Sequence, residues 1–247
     1  MMNRQYENFP NPPIQEALLD FRVGFVSPPT KEDVRNLLPL LARKYPISND
    51  LFRMNATFEL NQGVGSANHV SNFGGLRFES TERNFVFQAH VDGFTISKLK
   101  PYRNWDELVG EAKELWVNYF DVLKPLTIER IACRYINRIE VNERFFDFSD
   151  YLTAAPHVPE KLPQGVSRYL TQLEIPAPHE KATVIITQSL EGVSDAPPAF
   201  LLDIDVFKVE SFIAEENSWW IELEKLRALK NQFFFENVTD KAKALFR

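Results

Sequence analysis

The sequence lacks several features that whole classes of protein require. It has one cysteine in 247 residues, which excludes a disulfide framework and a cysteine-based zinc site. Its apolar runs are too short to cross a bilayer as helices. Residues 1–13 lack the apolar core of a signal peptide. We therefore expect a cytoplasmic protein without a membrane partner.

Sequence signatures of catalysis are also missing. The chain has no Gly-x-Ser-x-Gly elbow and no glycine-rich phosphate loop that ends in Gly-Lys-Ser/Thr. Its four histidines do not have metal-ligand spacing to one another. They are His69, His90, His157 and His179. We predict no catalytic residue, no metal and no cofactor from these patterns, which leaves an enzyme as an alternative without a signature.

The composition is that of a folded protein with many chain-breaking residues. Apolar residues make up 44% and aromatic residues 13%, which excludes a disordered chain. Lysine and arginine number 28 against 34 acids, so the net charge of −6 disfavours nucleic acid as a partner. Sixteen prolines outnumber nine glycines. The prolines cluster between the predicted elements, where they separate strands from helices.

The first half of the chain predicts a strand, a divided helix, several strands and a long helix. Residues 14–26 alternate apolar and polar, as a half-buried strand does. Thr30 is a suitable N-cap for a helix over 31–45, which Pro39 should divide. Residues 104–123 form an amphipathic pattern that predicts a helix. The strands between these helices are predicted at 56–61, 75–80, 85–91 and 94–100, the last two as a hairpin.

The second half repeats this order. Residues 127–141 predict a long strand, and 146–152 predict a short helix. A proline-rich connector follows over 154–165. Ser218 is a suitable N-cap for a helix over 219–235. The remaining elements are strands at 167–175, 181–190 and 198–209 and a last helical turn at 240–246.

This repetition predicts an α+β fold with an antiparallel sheet and helices on one face. Two tandem halves with the order strand, helix, strands, helix, at 1–125 and 126–247, would share the sheet within one compact domain. The TATA-binding protein has a similar order of elements. That similarity concerns the fold and implies no function.

Four segments resemble a family of uncharacterised prokaryotic proteins of about this length, which occur sporadically in bacteria and archaea. The resemblance extends over nearly the whole chain. No activity is established for the family, so it implies no catalytic residues; its scattered occurrence suggests horizontally transferred defence or toxin–antitoxin loci. The segments are Pro13–Ala17 (PIQEA), Ser97–Trp105 (SKLKPYRNW), Arg130–Ile139 (RIACRYINRI) and Val238–Lys241 (VTDK).

The strand predicted at 127–141 carries a row of arginines. Alternation places Arg130, Arg134 and Arg138 on one face. Residues four apart on a strand lie about 13 Å apart, so the three cannot hold one small anion together. They could follow a row of phosphates, or each could bind a carboxylate. Alternatively, each pairs with an acid on a neighbouring strand. The candidate acids are Asp20, Glu59, Asp203 and Asp205.

Lys98 and Lys100 leave the predicted hairpin on one face. They extend the arginine row into a local basic area if their strand lies near it in the sheet. The candidate residues for binding an anion or a partner are therefore Arg130, Arg134, Arg138, Lys98 and Lys100.

Three further features of the sequence bear on function. Asp203 and Asp205 share a strand face and could form a carboxylate site with Asp20. Residues 61–74 are polar and contain glycines, which predicts a mobile loop. Cys133 lies on the apolar face of its strand and is expected to be an unreactive core residue.

Three functions stay open from the sequence. The first is a non-enzymatic binding or regulatory protein with a protein partner. The second is a protein that binds nucleic acid or nucleotide phosphates through the arginine and lysine candidates. The third is an enzyme whose site assembles from Asp20, Asp203 and Asp205.

Overall fold

The computed structural model describes residues 6–61, 64–143, 146–191 and 197–247, with the backbone alone for 55–69. Within this part of the chain the strands are β1 (Ile14–Gly24), β2 (Ile47–Asn61), β3 (Val64–Glu79), β4 (Phe85–His90), β5 (Gly93–Leu99), β6 (Thr127–Glu140), β7 (Leu170–Ala177), β8 (Ala182–Glu191) and β9 (Ala199–Ile213). The helices are α1 (Lys31–Arg35), α2 (Leu37–Leu41), α3 (Trp105–Leu123), α4 (Trp219–Asn237) and α5 (Asp240–Ala244).

The nine strands form one antiparallel sheet. Their order is β2-β3-β4-β5-β1-β6-β9-β8-β7. β1 and β6 therefore lie side by side near the middle, with Asp20 opposite Ala132 and Arg22 opposite Arg130. The predicted α+β class with an antiparallel sheet is confirmed.

One face of the sheet is covered by helices. Alternate residues of β1, from Ala17 to Val23, are buried on that face. The Phe21 ring contacts Trp116 of α3 and Trp219 of α4 edge-on, with centroids 5.8 Å and 4.8 Å apart. This aromatic cluster joins both long helices to the central strand, so the main core lies between the helices and the sheet.

The helix boundaries follow local chemistry. Thr30 caps α1 in a capping box with Asp33, and the helix breaks at Asn36, since Pro39 has no N–H for the carbonyl of Arg35. α3 begins at its Asn104 cap, as predicted. α4 begins after Ser218, but the Ser218 side chain makes no capping bond. No helix of the described residues is long and apolar enough to span a membrane.

The predicted loop at 61–74 is wrong, because β3 begins at Val64 and pairs with β2 along its length. Pairing with a partner strand decides this segment, whose small polar residues carry little strand signal. Gly75 on β3 has a φ of +146°, and a Cβ there would lie 2.2 Å from the carbonyl oxygen of Ala89. The short helix predicted at 146–152 is a single 3-10 turn at Phe148–Asp150.

Candidate ligand cavity and the arginine row

The arginine row lies on the sheet face opposite the helices. On β6 it alternates with buried residues such as Ile131, Cys133 and Tyr135, which face the helices. The three arginines therefore share one face. They are Arg130, Arg134 and Arg138.

Arg130 joins two carboxylates across the centre of the sheet. It donates to Asp20 on β1 at 2.8 Å and to Asp205 on β9 at 3.3 Å. Its guanidinium lies 4.5 Å from the centroid of the Phe207 ring. Burial raises the pKa of Asp205 above its ordinary value, although Arg130 acts against that shift. Charge on Asp205 is thus tolerated mainly because Arg130 lies beside it.

The other two arginines are also ion-paired. Arg134 donates to both carboxylate oxygens of Asp203, at 2.9 Å and 2.5 Å. Arg138 donates to Glu191 at 2.7 Å and to Glu140. Hydrogen bonds to Asp203 and to Glu191 raise the pKa of Arg134 and of Arg138 respectively. The row forms a cross-strand ladder in which acids of the same face balance its charge.

The two lysines do not extend this row. Lys98 faces the helices and is 4% exposed. It donates to the carbonyl of Arg83, lies 3.5 Å from Glu107 and is 4.6 Å from the Phe85 ring centroid. Lys100 is exposed beyond the end of β5. The structure therefore brings the three arginines onto one face but places Lys98 on the other.

The carboxylate and cysteine candidates are likewise accounted for by packing. Asp20 and Asp205 share Arg130, and Asp203 is held by Arg134. No cluster of three or more His, Cys, Asp or Glu side chains suited to a metal ion occurs in the described ranges. Cys133 is fully buried, as predicted for a core residue, and burial raises its pKa to about 12. The side chain of Glu59 lies outside the described residues.

A cavity of about 660 Å³ lies at the other face, beside α4. Its walls come from four parts of the chain: 6–14, 102–106, β6 and α4. Volumes of roughly 300–1,000 Å³ are typical of small-molecule sites. The segment before β1 is held in place by Glu7, which binds Arg247 through two hydrogen bonds of 2.8 Å.

Lys230 is the unusual residue of this cavity. It is 7% exposed, and none of the ion pairs formed by the described residues involves it. Its ammonium lies 3.7 Å from the Tyr135 ring centroid and donates to Asn231 at 2.6 Å. Burial lowers its pKa to about 8. Lysines are seldom buried without an acidic partner, because the charge loses its hydration.

Polar groups of β6 and of the β5–α3 connection line the wall near Lys230. The hydroxyls of Tyr102 and Tyr135 are hydrogen-bonded at 2.8 Å. The amide nitrogen of Asn137 donates to the carbonyls of Leu202 and Tyr135 at 2.9 Å and 3.3 Å. Both of its N–H donors are thus used, which leaves the amide oxygen as the group that can accept a further bond.

The one acid that α4 contributes to the cavity is already engaged. Glu224 accepts a hydrogen bond from the Trp105 indole and another, at 3.4 Å, from Arg227. The Arg227 guanidinium also lies 5.1 Å from the Trp105 ring centroid. These contacts fix Glu224 against Trp105 and Arg227, so Glu224 does not serve as a counter-ion to Lys230.

This cavity was not predicted from the sequence, although two signals pointed to it. Lys230 lies four residues after Leu226 and seven after Leu223, both buried, so helical spacing places it on the apolar face of α4. Segments that carry the family resemblance also meet here, since they supply Pro13, Tyr102 and the tyrosine and asparagine of β6.

A second recess, of about 1,580 Å³, lies between the end of β6 and the connector before β7. Its acidic side chains are exposed to solvent, and they are Glu143, Asp147, Asp150 and Glu160. Exposed acids are well hydrated and do not indicate a built site.

Comparison with known proteins gives no assignment. No family model, no curated protein and no solved structure matches the chain.

Proposed function

We propose that the chain is a binding protein that takes a small molecule into the cavity beside Lys230. One observation carries the proposal: a buried lysine that forms no ion pair with an acid of the described residues is part of the cavity wall. A buried, uncompensated charge lowers the stability of a fold. Such a residue is understandable where a ligand supplies the missing charge, because perturbed groups concentrate at functional sites.

The proposal keeps the internal duplication as its structural basis. From the β1–β6 pair outwards, the sheet runs β5, β4, β3 and β2 on one side and β9, β8 and β7 on the other, so three strands match and β2 is additional. The strands of each half are followed by a helix of 19 residues, α3 or α4. This order supports two tandem halves, at 1–125 and 126–247, of the type found in the TATA-binding protein. Superposition of β1–α3 on β6–α4 tests it, and helices that fail to align would contradict it.

A regulatory role with a protein partner in the cytoplasm is the second part of the proposal. β2 is an edge strand of the sheet, and its Phe52 and Met54 are 60% and 71% exposed. Exposed apolar side chains on an edge strand favour contact with another protein. Cross-linking in native extract should capture a partner with the wild type and lose it with Phe52→Asp. Unchanged capture by that variant would contradict this surface.

The ion pairs weigh against the nucleic-acid alternative. A row of arginines that already binds acids on its own sheet releases few counterions when it meets phosphates. The carboxylates of the enzyme alternative are bound to the same arginines. Lys230 in the cavity, by contrast, is not bound to a carboxylate of the described residues.

Hydrogen exchange during a fragment screen tests the ligand-binding proposal. A chemically diverse library of charged and neutral fragments is added to the full chain, and exchange is followed by mass spectrometry. Binders should protect peptides that cover 102–106 and the middle of β6, because these segments line the cavity. Protection confined to other peptides, or no binder in the library, would contradict the proposal.

A further inference from the structure

The charged residues that line the cavity differ in how deeply they are buried and in whether they are paired. The cavity is lined by three basic and three acidic residues. Glu7 is bound by Arg247, Arg227 is bound to Glu224, and Arg103 and Asp106 are exposed to solvent at the mouth. The remaining group, Lys230, is a buried cation that has no ion pair with an acid in the described ranges. The charge that the cavity lacks is therefore one buried anion.

The remaining walls are apolar and flat. Phe9 and Phe235 stack with ring centroids 5.7 Å apart, and Tyr6 stacks on Phe235 at 4.6 Å. Ile14 and the Tyr135 ring face the same space. Aromatic walls favour a flat or apolar body, which gains from burial and from stacking.

We infer that the cavity binds a small organic carboxylate, with the carboxylate against Lys230 and an aromatic or apolar body against Phe9 and Phe235. This inference rests on the proposed function and names the chemical class of its ligand. The carboxylate would accept a charge-assisted hydrogen bond from the ammonium. The acceptors that the described residues place near Lys230, on Asn231 and Asn137, are neutral amides, so the ligand supplies the negative charge that pairs with Lys230.

The pH dependence of carboxylate binding follows from the ionisable groups that face Lys230. Burial raises the pKa values of Tyr102, Tyr135 and Cys133, so all three are neutral near pH 7 to 9. The neighbouring cation on α4, Arg227, is bound to Glu224. Lys230 is then the group that loses its charge, with a pKa of about 8. Carboxylate affinity should fall about 30-fold from pH 7 to pH 9.5, because the protonated fraction of Lys230 falls by that factor.

The experiment is calorimetric titration of the full chain with benzoate, phenylacetate, indole-3-acetate and hexanoate. Phenylacetamide serves as the neutral analogue, and phenyl phosphate and inorganic phosphate test the other common anion. We expect at least one carboxylate to bind at pH 7, at least tenfold more tightly than its amide, and about 30-fold more weakly at pH 9.5.

Three variants locate the effect. Lys230→Met should lose carboxylate binding at least tenfold, whereas Lys225→Met should bind like the wild type, since Lys225 is an exposed lysine of the same helix paired with Glu222. Lys230→Arg keeps a cation that does not titrate in this range, so any binding that it retains should not weaken at pH 9.5. Circular dichroism and thermal melting confirm that each variant is folded.

The outcomes separate this inference from the proposed function. Equal binding of acid and amide, or full carboxylate binding by folded Lys230→Met, overturns the carboxylate inference. Binding of phosphates alone, or of neutral fragments that protect the cavity peptides, also overturns it but leaves the cavity as a ligand site. The proposed function itself fails only if no compound protects the cavity peptides from hydrogen exchange.

Discussion

Replacing Lys230 by methionine should make the protein more stable at pH 7 while its ligand site is lost. Methionine has a similar length and carries no charge, so it can occupy the buried position without a hydration cost. Burial lowers the pKa of Lys230 from 10.5 to about 8. At pH 7 this shift lowers the free energy of unfolding by about 3 kcal/mol relative to a chain with an unshifted lysine.

Two contacts reduce the net gain. The ammonium over the Tyr135 ring and the bond to Asn231 are each worth about 1 kcal/mol. Lys230→Met should therefore raise the free energy of unfolding by about 1 to 3 kcal/mol at pH 7. Lys225→Met is the matched control. It breaks the ion pair of an exposed lysine with Glu222, so it should change the free energy of unfolding by less than about 1 kcal/mol.

The pH dependence of the free energy of unfolding shows whether the buried charge of Lys230 is the cause. A lysine with a lowered folded-state pKa contributes its full stability above the unfolded value of 10.5, and that stability is lost as the pH falls towards 8. Between pH 7 and pH 9, the free energy of unfolding of the wild type should therefore rise by about 1.3 kcal/mol relative to that of Lys230→Met. Urea unfolding at both pH values, followed by tryptophan fluorescence, measures this difference. A variant less stable than the wild type by the same amount at both pH values would refute the idea of an uncompensated charge.

Four other predictions concern the remainder of the fold. Arg130→Met should lower the free energy of unfolding by about 3 kcal/mol because it leaves the part-buried Asp205 without its ion-pair partner and removes the nearer of two arginines from Asp20, whereas Arg134→Met should cost about 1 kcal/mol or less; similar values in urea titrations would contradict the central role of Arg130. Gly75→Ala should lower the melting temperature by several degrees, since its φ of +146° and the close carbonyl leave no room for a Cβ, and an unchanged melting curve would show that the strand can shift. Burial lowers the pKa of His90, so wild-type stability should fall more steeply than that of His90→Gln as the pH drops below 6.5; parallel curves would be evidence against a buried neutral imidazole. Cys133 should react with a thiol reagent only in denaturant, and rapid labelling of the folded protein would contradict its burial.

Most of the secondary structure was predictable, because local patterns carry it. The alternation in 14–26 and 127–141 gave β1 and β6, and the caps at Thr30 and Asn104 gave the starts of α1 and α3. The exceptions were the helix predicted at 146–152, which is a single 3-10 turn, and the loop predicted at 61–74, which is part of a strand. Small polar residues there carry no strong preference, so the partner strand decides the conformation.

The candidate site was less predictable, because it depends on distant contacts. Alternation correctly placed three arginines on one face of a strand, but it could not show which acids neighbouring strands place beside them. The sequence likewise put Lys98 and the arginines together, whereas the alternation of β5 turns Lys98 towards the helices. Which face of a strand is covered is a property of the whole sheet.

The sequence by itself determined a folded, acidic chain with one unreactive cysteine, and the α+β class that its strands and helices build. These properties depend on composition and on periodicities of a few residues, which short-range sterics and hydrophobic burial fix. The tertiary structure alone decided that Lys230 lies in a cavity with no acid beside it. The charge state of that lysine depends on dielectric surroundings built from four distant parts of the chain, and no local pattern contains them.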